Sequence, residues 1–168
     1  DPYFQSVVLL LDGEQREFAS NNIFKINGGT SSQLTLTKNG TVTQGVFGPY
    51  SPNGWSTTFD TSSYVWFPSD LASAIGALVP NKFTFEAWVY LDNSSNGMDI
   101  INNLNGDVAD GRWGFAVLSD GSLYFTATTW SRGYNQAVTS TIKCNRNAWN
   151  HISFSLDATN SSNILSYF

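Results

Sequence analysis

The stretch "FTFEAWVYLD", residues 83–92, decides the fold class. Phe83, Phe85, Ala87, Val89 and Leu91 are apolar, while Thr84 and Glu86 stand between them. An alternation of period two predicts a strand with one face in a core. The opposite face carries Trp88 and Tyr90 as well as Glu86, so it is not left simply to water. The fold must therefore supply a sheet with bulk on both sides and a carboxylate on the outer one.

The rest of the chain supports a sheet protein. Its 168 residues suffice for one domain with a real core. Aromatic residues make up 15% and charged residues only 12%, about half the usual charged share. Ser, Thr, Asn and Gly must then keep the surface wet. The net charge is −5, and the eight Lys and Arg do not cluster, which argues against nucleic-acid binding through phosphates. Divalent cations or neutral glycans suit such a surface better. Cys144 is the only cysteine, so no intrachain disulfide and no CxxC motif is possible. The longest apolar run, "VVLLL" at 7–11, is too short for a membrane span or a signal-peptide core, and no membrane insertion is expected.

Further strands are expected at Ser6–Leu11, Ile23–Ile26, Gln33–Thr37, Trp55–Phe59, Tyr64–Phe67 and Asp99–Ile101. More follow at Trp113–Leu118, Ser122–Thr128, Ala137–Ile142, His151–Leu156 and Ile164–Phe168. Turns are expected at "KNGT" (38–41), "SPNG" (51–54), "SDGS" (119–122) and "SSN" (161–163). "LSDGSL" is the clearest hairpin. Only "SDLASAIGALV", 69–79, looks helical. Many short strands with β-branched and aromatic residues predict an all-β, two-sheet antiparallel jelly-roll sandwich over residues 1–168.

Four segments stand in a telling order: "WSTTFDTSSYVWFP" (55–68), "FTFEAWVYLD" (83–92), "RWGFAVLSDGSLYF" (112–125) and "NAWNHISFSLD" (147–157). The series resembles the laminin G-like, concanavalin A-like jelly-roll domains and covers most of residues 6–168. A narrower likeness lies in "NNIFKINGG…LTLTKNGTVTQGVFGPYSPNGWSTTFD". It resembles laminin G-like modules of virion structural proteins of tailed phages, marine ones especially. Thr61 stands where those modules usually have the Gly of "FDG". The resemblance implies a structural or adhesive module of a fibre, tail or capsid-surface protein, at the virion surface or otherwise extracellular. Its implied partners are other virion proteins, copies of itself, or a host-surface glycan. A lectin-type module of a secreted or cell-surface protein is the alternative, and a glycoside hydrolase a third.

The hydrolase reading turns on Glu86. Retaining hydrolysis needs two carboxyl groups about 5 Å apart. On an extended strand the same-face neighbours of Glu86 are Thr84, Trp88 and Tyr90, and Asp92 is roughly 20 Å away. Glu86 therefore reads as a hydrogen-bonded group on a concave face rather than a catalyst, and no enzyme activity is expected. His151, the only histidine, lies opposite in parity to Ile152, Phe154 and Leu156. No G-x-S-x-G elbow accompanies it, so a structural role is expected.

For metal, Asp107 and Asp110 in "NLNGDVADGRW" (103–113) offer the oxygen donors that Ca²⁺ takes. The resemblance implies calcium ligands from a loop in that position, with the remainder from loops further along. Asp110-Gly111 also suits an ordinary turn, and that plainer reading is the expectation, with no cofactor. In "ATTWSRGYNQ" (127–136), Trp130, Arg132 and Tyr134 suit either a glycan or partner contact or the lining of the core. The sequons at Asn39, Asn93 and Asn160 are expected to be chance in an Asn- and Ser-rich chain. Lastly, "DPYF" at the start and an apolar strand at the end suggest a piece of a longer polypeptide, C-terminally incomplete. Val7, Val8 and Leu9 with Ile164, Leu165 and Phe168 are then expected to form edge strands that pair with further chain or a partner.

Overall fold

The computed structural model describes residues 23–25, 31–33, 37–66, 82–93, 96–102, 110–129, 134–157 and 165–167. All regular structure among them is strand, paired antiparallel throughout. The chain groups into two compact units, Asp1–Ala72 and Ser73–Phe168. The expected strand Ser6–Leu11, with Val7, Val8 and Leu9, lies outside the described residues. So do the expected helix at 69–79 and the turn at 161–163.

The first unit is built from short antiparallel pairs. β1 (Ile23–Lys25) pairs with β2 (Ser31–Gln33), β3 (Thr37–Asn39) with β6 (Tyr64–Trp66), and β4 (Val42–Val46) with β5 (Trp55–Phe59). The "SPNG" turn forms as expected, with the Gly54 N–H donating to the Ser51 carbonyl at 2.9 Å. Two expectations need correction. β4 fell outside the anticipated strands because a glycine interrupts its alternation. Lys38 and Asn39, expected in a turn, belong to strand β3, and Gly40, at φ 72°, marks the break between β3 and β4, which run on in the same direction to pair with β6 and β5. A side chain at Gly40 would run into Ser63.

The second unit is a two-sheet sandwich. One sheet has the order β11-β10-β9-β8, formed by Tyr134–Lys143, Ser122–Thr129, Asp110–Leu118 and Gly97–Asn102 respectively. The other has the order β13-β12-β7, formed by Leu165–Tyr167, Ala148–Asp157 and Lys82–Leu91. Alternation works as the sequence requires. Phe83, Phe85, Ala87 and Val89 pack on the core and Leu91 is buried, as are Ile152, Phe154 and Leu156 from β12. Trp113, Phe115, Val117, Leu123 and Phe125 meet them from β9 and β10. The centre is aromatic: Phe125 and Phe154 stack at 4.0 Å, and Phe85 meets Phe115 edge-on at 5.2 Å. Each buried Phe contributes about 1.5–3 kcal/mol from its area alone.

Three register shifts follow from local chemistry. Between β10 and β11 the pairing jumps from Ser122↔Lys143 to Tyr124↔Thr139, so β11 carries extra residues there. The Leu123 N–H, deprived of a ladder carbonyl, donates to Ser140 Oγ at 2.9 Å, and that buried hydroxyl donates to the Ile142 carbonyl. A shift in β8 brings both Ile100 and Ile101 against the core. In β9, Arg112 pairs with Thr128 and Asp110 with Thr129, leaving Gly111 as the extra residue. The expected Asp110-Gly111 turn is thus a bulged strand, and the glycine marks the bulge.

One end of the sandwich is tied by side chains. The Arg146 guanidinium donates to the carbonyls of Asp92, after β7, and of Ser119, after β9, at 2.8 and 2.6 Å. It therefore joins the two sheets. Asn150 clips the β11–β12 turn by accepting from the Asn145 N–H and donating to the Asn145 carbonyl. In the "LSDGSL" hairpin, Gly121 takes φ 90° and its N–H donates to the Leu118 carbonyl. Asp120 accepts from the Ser122 N–H and pairs with Lys143 at 2.8 Å, and the Lys143 contact chiefly lowers its pKa to about 2.

Candidate functional site: the outer face of β7 and β12

The antiparallel register of β7 and β12 turns the even residues of one strand and the odd residues of the other into a four-rung ladder. Tyr90 stands opposite Trp149, Trp88 opposite His151, Glu86 opposite Ser153 and Thr84 opposite Ser155. Their core-facing neighbours keep this set on the outer side. Trp88, Glu86, His151 and Thr84 are exposed, and the other four are half-buried.

Two rungs are rings. Tyr90 and Trp149 meet edge-on with centroids 5.7 Å apart, and Trp88 and His151 lie at 5.1 Å. Two rungs are polar. The hydroxyls of Thr84 and Ser155 share a hydrogen bond of 2.9 Å, and Glu86 faces Ser153. The ladder runs roughly 20 Å along the strands, since alternate residues advance about 6.7 Å. Rings that offer flat apolar area, next to hydroxyls that can donate or accept and one carboxylate that accepts, suit a ligand with both apolar faces and polar edges. A sugar ring has that character.

Glu86 has the same-face neighbours expected of it, and the cross-strand partner is a serine. Among the described side chains of this face it is the one carboxylate. His151 lies opposite in parity to the buried Ile152, as expected. Trp149, Ser153 and Ser155 escaped sequence reasoning. Parity along β12 could have found them, but only the register shows which residues they face.

The other anticipated residues are placed as follows. Asp107, Trp130, Arg132, Ile164 and Phe168 lie outside the described residues. Asp110 opens β9 and Tyr134 opens β11, and both pair with Thr129 of the intervening β10, which brings the two backbones to one sheet end. Leu165 pairs with Asp157. Calcium takes six to eight oxygens. The described residues contribute at most the Asp110 position to such a shell, and no group of three or more His, Cys, Asp or Glu side chains gathers among them. The described residues alone do not make up such a shell.

Fold and face together define an antiparallel β-sandwich of the lectin type. The family model of the concanavalin A-like lectin/glucanases superfamily matches residues 59–167, and the chain belongs to that superfamily. In general terms it is a carbohydrate-binding or adhesive module. No curated protein and no solved structure matches the chain.

Proposed function

We propose that this chain is a non-enzymatic adhesive module that binds glycan on the outer face of β7 and β12. We place it at the surface of a tailed-phage particle, in a fibre, tail or capsid-surface protein. The observation that carries the binding role is the ladder itself, two ring rungs continuous with two polar rungs. Ser153 stands opposite Glu86, where a retaining hydrolase would need a second carboxyl group about 5 Å away. That supports binding without cleavage. The particle assignment rests on the resemblance of residues 21–60 to phage virion modules.

Two measurements test the two halves. A glycan array probed with the chain and with Trp88→Ala should show binding that the variant loses. Mass spectrometry of purified particles should find the chain in them. Its recovery only as free protein would remove the virion assignment while leaving the binding role.

A further inference from the structure

We infer that the ladder face selects uncharged oligosaccharides over acidic ones, and that Glu86 sets this preference; the inference rests on the glycan-binding reading above. The argument is one of charge and hydrogen-bond polarity. Among the described side chains of the face, Glu86 and His151 are the carboxylate and the imidazole, and no lysine or arginine joins them. At one end Asp92, two residues after Tyr90, is exposed, while the Arg146 guanidinium is engaged by two backbone carbonyls. The whole chain carries −5. Among the described side chains of the face, no lysine or arginine is set to receive a carboxylate or sulfate.

Glu86 also dictates what the ligand must bring. A carboxylate only accepts hydrogen bonds. Covering it with a ligand is costly unless donors replace the lost water. Neighbouring hydroxyls of a neutral sugar supply two donors, one for each oxygen. An acidic sugar in the same place supplies fewer donors and adds a like charge. Ser153, Ser155 and Thr84 can donate or accept, so they tolerate either ligand. Discrimination therefore falls to Glu86.

The experiment is titration calorimetry of the chain at pH 8 with tetrasaccharides of neutral glucan and galactan against tetragalacturonate and a sulfated galactan of equal length. The neutral probes should bind at least about tenfold tighter at low salt. Their affinity should change little between low and physiological salt. Glu86→Gln should narrow the gap to about threefold, chiefly by improving the acidic probes, and Trp88→Ala should weaken all of them. Tighter binding of the acidic probes, or a gap unchanged in Glu86→Gln, overturns the inference. Binding indifferent to both Trp88→Ala and Glu86→Gln places the glycan site elsewhere and also overturns it, while leaving the glycan-binding reading in place. No binding to these probes or to any array glycan removes that reading, and this inference with it.

Discussion

Trp88 and His151 face each other across β7 and β12 with ring centroids 5.1 Å apart, and each is followed along its own strand by a residue turned into the core. The same two strands thus contribute to the aromatic centre on one side and form the proposed glycan face on the other. Changes on the two sides should separate stability from binding.

On the outer side, Trp88→Ala should lower affinity for a bound glycan about tenfold or more, through loss of the stacking area. Trp88 is 40% exposed, so its removal leaves no closed cavity. The melting temperature should move by only a few degrees. Calorimetric binding and a thermal melt of the same preparation check both halves.

On the inner side, Phe154→Ala should destabilise the second unit by about 3–5 kcal/mol. Phe154 is 0% exposed and meets Phe125, Phe115 and Phe83 at 4.0, 5.7 and 6.0 Å. Such a loss is comparable to the total stability of many domains. Urea unfolding followed by tryptophan fluorescence should show the midpoint fall, and Phe154→Leu, which keeps most of the volume, should cost far less.

The contrast between the two faces shows what was legible before the structure. Strict alternation in residues 83–91 and 151–156 announced two strands and their inner faces, because burial on one side leaves a period-two trace. The ladder was only half visible. Glu86, Trp88 and Tyr90 could be placed on one face, but facing Trp88 with His151, or Glu86 with Ser153, depends on register, which parity does not determine. Gly111 misled for a related reason: a glycine serves a turn and a bulge equally well, and only the Thr129 pairing distinguishes them. Arg146 was overlooked because its partners are backbone carbonyls 27 and 54 residues away, which leave no motif.

Gly121→Ala should destabilise by about 1–2 kcal/mol, the cost of a left-handed backbone for an L-residue. Gly121 sits at φ 90°, and a Cβ there would lie 3.0 Å from the Cys144 carbonyl oxygen, which is backbone and cannot swing aside. The Gly121 carbonyl also accepts the Cys144 N–H at 2.8 Å, so strain would reach the neighbouring turn. Hydrogen exchange at the Cys144 amide should rise in the variant even under conditions where the rest of the sandwich stays protected.

Acid should loosen the same turn. Asp120 is held at a pKa of about 2 by its contacts with Lys143 and then Ser122, below the ordinary aspartate value. A carboxyl whose pKa is depressed in the folded state stabilises it fully above the unfolded pKa. That stabilisation disappears as pH falls from about 4 towards 2. Asp120→Asn should therefore flatten the stability curve over this window and leave its shape near neutrality unchanged. The pair is exposed, so high salt should shrink the difference between variant and parent. Chemical unfolding at successive pH values, at low and high salt, measures both effects.

Trp113 presents the opposite situation, a polar group that burial does not reward. The residue is 5% exposed, within the aromatic core, and its indole Nε1 has no hydrogen-bond partner. A buried donor left unsatisfied costs about 1–3 kcal/mol relative to water. Trp113→Phe removes that donor and also gives up part of the ring's contact area, so the two changes oppose each other. The expected net effect is within about 1 kcal/mol of the parent. Trp113→Ala loses the area without compensation and should cost about 3–5 kcal/mol. Urea midpoints for the two variants, taken with their m-values, decide the matter. If Trp113→Phe falls close to Trp113→Ala, the indole N–H is satisfied in solution and the core is wetter at this point than the packing of Phe115 and Val117 around it indicates.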